Sequence, residues 1–176
     1  MAMIKRRGGM VRVQLRPEER TILAGLAREV AEMLDPPETD ADPLAAIVGI
    51  GDSPVATPVD PALARLLPDA YADPAGAAEF RRLTDADLRH GKAEALLRLA
   101  DTVASESGAV ELSPDDADRW LSAVNDIRLV LGVRLDIQDD DGSWRHALSP
   151  DDLRQPLLAA YDWLSMLQEL LVDALL

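Results

Sequence analysis

Apolar residues recur three and four positions apart over most of this chain, and the runs are separated by Asp-Pro or Ser-Pro pairs. That spacing puts the apolar side chains on one face of a helix. The pairs mark helix starts: the Asp or Ser oxygen accepts a free backbone N–H, and Pro fits the first helical position, where no donor is needed. Asp42-Pro43, Asp60-Pro61, Asp73-Pro74, Ser113-Pro114 and Ser149-Pro150 all have this form. Asp115-Asp116 and Asp151-Asp152 follow the two Ser-Pro pairs and add carboxylates to the first turn, which the helix dipole favours. Thr84-Asp85-Ala86-Asp87 gives the same signal without Pro, so separate helices are expected around Pro74–Leu83 and from Asp85 to about Ser105.

One segment has a different period. Met10 to Leu15 alternates apolar and polar residues behind Gly8-Gly9, which predicts a short strand, half of a hairpin with residues 3–7. Pro17-Glu18-Glu19 then opens a helix with Ile22, Leu23, Leu26, Val30 and Leu34 on its apolar face, ended by Asp35-Pro36-Pro37. Residues 35–60 form a Pro- and Gly-rich loop region, with room for a helical turn around Leu44–Val48. The helix from Asp85 should bury Leu88, Ala95, Leu96, Leu99 and Val103, and Gly91 could allow a close helix approach.

The helix from Pro114 presents Trp120, Val124, Ile127 and Leu131 on one face. Asp139-Asp140-Asp141-Gly142 supplies a turn signal for a candidate minor hairpin near residues 134–146. The last helix should bend or restart at Pro156, which cannot donate to the Asp152 carbonyl. The fold class is therefore mostly α: one helical domain over residues 1–176, a multi-helix bundle with a short N-terminal hairpin.

Composition narrows the chemistry. Hydrophobic residues make up 48% of the 176 and aromatics only 3%, so the core is built from Leu, Ala, Val and Ile. The net charge of −14 repels phosphate backbones, which speaks against direct nucleic-acid binding. The basic cluster Lys5-Arg6-Arg7, with Arg12 and Arg16, reads first as a solvated edge. There is no cysteine, hence no disulfide and no thiolate ligand or nucleophile in this chain. The first residues lack the apolar run of a secretory signal, and Gln168, Glu169 and Asp173 interrupt the most apolar segment, so a soluble, cytoplasmic protein without membrane contact is expected.

Chemical motifs fail on inspection. Placing Gly142 at the glycine of a calcium loop puts Ile137 and Leu148 at ligand positions, where neither can bind the ion. His90 and His146 have no second His at ligand spacing, and Gly49-Ile50-Gly51 lacks the Lys-Ser/Thr of a phosphate loop. No catalytic, cofactor-binding or metal-binding residue is expected.

Two features carry more information. Asn125, Asp126 and Arg128, with Arg134 beyond them, stand within an apolar helix, where polar groups cost free energy unless partnered. They either staple the fold internally or meet another molecule. The final helix is apolar around most of its circumference. It is either a central core helix, or Leu157, Leu164, Leu167 and Leu171 form the seam of a homodimer.

Three segments resemble a known family: Pro61-Ala-Leu-Ala-Arg-Leu-Leu-Pro-Asp-Ala-Tyr71, Glu79-Phe-Arg-Arg-Leu-Thr84 with Leu88-Arg89, and Leu121 through Asn125-Asp126-x-Arg128 to Leu135. It is the actinobacterial domain of unknown function encoded beside the adaptor of the Clp protease, which includes AosR-like oxidative-stress regulators. The resemblance implies a non-enzymatic protein that modulates transcription through contact with a stress sigma factor or polymerase. The family's gene neighbourhood leaves open an accessory or adaptor role in Clp-type proteolysis, and a hydrolase with a carboxylate-held metal stands as a third reading. The redox-responsive form of the family implies a Cys-x-x-x-Cys pair near the N-terminus. Here Lys5-Arg-Arg-Gly-Gly9 stands in that region, so the thiol switch is absent.

Overall fold

A computed structural model describes residues 2–35, 57–105, 108–137, 149 and 151–176. The chain opens with β1 (Met3–Arg7) and β2 (Met10–Gln14), joined by Gly8-Gly9. Both glycines have positive φ, 61° and 84°, which matches the twist of a tight hairpin and is costly for other residues. Met3 pairs with Gln14 and Arg7 with Met10 in antiparallel register. A third strand, β3 (Val110–Leu112), pairs with β2 on its other side. Val11, Val13, Val110 and Leu112 face the core from this sheet.

Five helices are present among the described residues: α1 (Pro17–Leu34), α2 (Pro61–Leu66), α3 (Pro74–Ser105), α4 (Pro114–Arg134) and α5 (Gln155–Leu175). The start signals act as chemistry dictates. Asp60 accepts from Ala62 N at 2.7 Å, Asp73 from Gly76 N at 2.7 Å, and Ser113 from Asp116 N at 3.1 Å. Glu19 reaches back to Arg16 N at 2.8 Å to close the start of α1. The sequence predicts a last helix that begins at Pro150 and bends or restarts at Pro156; instead residues 151–154 form turns and α5 begins at Gln155, with Pro156 in its first turn, where no donor is needed.

Three further expectations change. The break at Thr84 does not exist: α3 is one helix of 32 residues, roughly 48 Å long. Thr84 Oγ1 donates to the Phe80 carbonyl of its own helix at 2.9 Å instead of capping a new one. Nothing in Arg81-Arg82-Leu83 ends the preceding turn, so the start signal goes unused. Ile22 and Leu88 are exposed rather than buried. On α1 the core face is filled by Leu23, Ala24, Ala27, Val30, Ala31 and Leu34, and the alanines let α1 lie close against Leu96, Leu99, Ala100 and Val103 of α3. Gly91 is exposed with open space beyond it, so it serves no close approach.

α4 is the hub of the bundle. It packs against α1, α2, α3, α5 and the sheet, burying Trp120, Val124, Ile127, Val130 and Leu131. It ends at Leu135, after which Asp136 takes φ 58° and the Ile137 N–H returns to the Gly132 carbonyl at 2.9 Å. These bonds occupy carbonyls that a helix end would otherwise leave bare. The candidate second hairpin near 134–146 thus begins as a helix cap. Its remainder, with Asp139–Gly142 and His146, lies outside the described residues, as do the turn at Leu44–Val48 and the Gly49–Gly51 string.

Candidate functional site

Three polar residues of α4 each reach a different neighbouring helix. Asp126 is buried at 5% exposure and meets Lys92 of α3, whose Nζ lies 2.7 and 2.9 Å from the two carboxylate oxygens. Burial pushes the Asp126 carboxyl above the usual carboxylate value, and the bonds and charge of Lys92 offset part of that push.

Arg128 turns to α5. Its Nε donates to Ser165 Oγ at 3.0 Å, Nη1 to Gln168 Oε1, and Nη2 to Tyr161 Oη at 3.4 Å. The guanidinium carbon also stands 5.1 Å from the centre of the Tyr161 ring, within cation–π range. Ser165 Oγ in turn donates to the Tyr161 carbonyl at 2.8 Å, which fixes its lone pairs toward Arg128.

Arg134 reaches α1, where Nη1 meets Glu29 Oε1 at 2.6 Å and Nη2 lies 3.4 Å from Met33 Sδ. Its position in the last turn also suits the helix dipole. Asn125 is half-buried, and among the described residues its side chain makes no hydrogen bond to another helix. The structure therefore places Asp126, Arg128 and Arg134 as three cross-helix staples, to α3, α5 and α1, and leaves Asn125 out of the set.

Burial within a single copy speaks against the central residues of the candidate dimer seam. Leu164, Leu167 and Leu171 are fully buried within a single copy of the chain, and Leu157 packs against the same core. Side chains already enclosed by their own fold have no surface left to offer a second copy. α5 is a core helix because α4 and the hairpin together cover it.

Several partners were hidden from sequence reading. Tyr161, Ser165 and Gln168 stand four and three residues apart, a polar stripe on one face of α5 that could have been found by spacing. Lys92 and Glu29 had no such signal. Arg81, buried on α3, pairs with Asp69 in the link from α2, a further contact the sequence did not announce. Among the described residues no group of three or more His, Asp or Glu converges to hold a metal, and His90 is exposed. An open groove runs between α1 and the end of α3, lined by Arg20, Thr21, Gly25, Arg28, Val103 and Ser105. No helix among the described residues is long and apolar enough to cross a membrane.

A small β-hairpin docked on a helical bundle, bolted through one central helix, defines an α-helical scaffold. Residues 1–175 match the family described as a domain of unknown function, DUF2017, and the chain belongs to that family. The oxidative stress regulator AosR of Mycobacterium tuberculosis is 35% identical over 192 aligned positions, covering 97% of this chain and 84% of the relative. The protein of the same name from Mycobacterium bovis matches to the same extent. No solved structure matches the chain.

Proposed function

We propose that this chain is a stress-response regulator that works by touching another protein and catalyses no reaction of its own. The observation that carries the reading is its likeness, over 97% of its length, to relatives named oxidative stress regulators. The arrangement of α4 agrees with it: Asp126 and Arg128 hold helices together from within the bundle, and Arg134 pairs with α1 at its exposed end.

In its finer form, the proposal is that the partner is a sigma factor or RNA polymerase and that the contact modulates transcription. A surface of net charge −14 suits basic elements of such a partner. With no cysteine, the chain forms no disulfide of its own, so an oxidative signal would reach it through the partner or through its supply.

Chemical crosslinking in the native cell during oxidative challenge, with residue-level mapping of the linked peptides, tests this. The expected result is crosslinks to a sigma factor or polymerase subunit. Recovery of Clp protease components alone would replace the transcriptional reading with a role in proteolysis, and a stoichiometric divalent ion with substrate turnover would end the non-enzymatic one.

A further inference from the structure

The hairpin gathers positive charge on one face of an otherwise acidic molecule. Residues 1–17 contain Lys5, Arg6, Arg7, Arg12 and Arg16 and no Asp or Glu, although the whole chain carries −14. Strand alternation puts Lys5, Arg7 and Arg12 on the outward face of the sheet, opposite to the buried Val11 and Val13. Together with Met3, Arg6 and Gln14 they line a shallow open depression. Among the described residues Lys5, Arg6, Arg7 and Arg12 have no ion-pair partner.

Two details speak against a merely solvated edge. Lys5 sits directly across from Arg12, and like charges in that position destabilise a strand pair; Glu111 of β3, across from Arg12 on its other side, offsets part of that cost. Charges that protect a sheet edge from pairing belong on the edge strand, yet Arg12 is on β2, the central strand. Met3 and Met10 flank the patch at 51% and 37% exposure, adding apolar contact area beside the charges.

We infer that the outward face of the hairpin is a docking surface for an acidic segment of a protein partner, one that alternates carboxylates with apolar side chains. The carboxylates meet Lys5, Arg7 and Arg12, and the apolar residues meet Met3 and Met10. The face spans only five residues per strand, about 17 Å, which suits a short extended peptide. The acidic remainder of the molecule repels a nucleic acid, whose charge extends past the patch. The inference rests on the reading of this protein as one that acts by contact, but its test does not use regulation as a readout.

The probe is a short fluorescein-labelled peptide of alternating Glu and Val, followed by fluorescence anisotropy with the full chain. Saturable, salt-sensitive binding is expected. The variant Lys5→Ala, Arg7→Ala, Arg12→Ala should bind at least about tenfold more weakly. Charge-keeping Lys5→Arg, Arg7→Lys, Arg12→Lys should bind like the parent. Arg98→Ala, Arg119→Ala, Arg154→Ala, at exposed positions elsewhere, should stay within about twofold. Arg12→Gln alone gives a readout that does not require the triple variant to fold, and should weaken binding several-fold. No peptide binding, equal loss in the distant variant, or tighter binding of a single-stranded DNA of matched length would overturn the inference. Loss of peptide binding with partner crosslinks intact elsewhere sinks only this surface. Peptide binding without any regulatory partner in the cell sinks only the proposed function.

Discussion

Lys92 and Asp126 meet between α3 and α4 as a cation with both oxygens of a buried carboxylate, at 2.7 and 2.9 Å. Lys92 keeps a quarter of its side-chain surface in solvent, while Asp126 keeps almost none. The pair is therefore lopsided. Remove the lysine and a carboxylate is left enclosed; remove the aspartate and the ammonium can turn to water.

Lys92→Met should accordingly destabilise the fold by about 3 kcal/mol at neutral pH. The Asp126 carboxyl, already raised by burial, should titrate higher still, because the opposing bonds and charge are gone. A folded-state value above the unfolded one means that the fold holds the proton more tightly. The contribution of Asp126 is then full below the unfolded value near 3.8 and is lost as pH rises through the folded value. The deficit of the variant should thus shrink on acidification. Urea melts at several pH values, with carboxyl NMR titration of Asp126, check both parts; a deficit independent of pH would count against the pair.

Arg128→Ala should cost about 2–3 kcal/mol, since it removes charge-assisted hydrogen bonds to Ser165 and Gln168 together with the Tyr161 ring contact. Arg128→Lys should recover less than half, because an ammonium cannot fork to two acceptors while lying over a ring. Thermal denaturation compares them. If both variants melt with the parent, Arg128 is not a staple.

Leu167→Ala should lose about 3 kcal/mol of stability, as expected for a fully enclosed leucine. Its association state by sedimentation should be that of the parent. A change of association at unchanged stability would restore the seam that burial argues against.

Gly8→Val should cost at least about 1–2 kcal/mol although no atom obstructs the new side chain, because φ 61° is hostile to a branched residue. Gly8→Asn should be nearly neutral, since Asn tolerates that region. Equal melting curves for the Val and Asn variants would remove the positive-φ turn.

Much of this architecture is written locally. The Gly8-Gly9 turn, the alternation at Met10–Gln14 and the caps at Asp60, Asp73 and Ser113 each act within a few residues, so their signals survive in sequence. What escapes is set by distant neighbours. Thr84 looks like a cap until the helix before it fails to stop. Ile22 looks like core until the close packing of Ala27 and Ala31 against α3 turns it outward. β3 is too short to show a period and exists because β2 offers it an edge. The staples of α4 were half legible: polar groups within an apolar helix announced a need for partners, but Lys92 and Glu29 became partners only through three-dimensional proximity.

Because α4 is fastened to α1, α3 and α5 by separate side chains, while its apolar face also packs on α2 and the sheet, the described residues offer no seam along which one half could swing from the other. Melting should be a single concerted event. On the proposed reading, a signal is then received at the rim, at the hairpin or the outer helix faces, with the interior serving as a rigid handle.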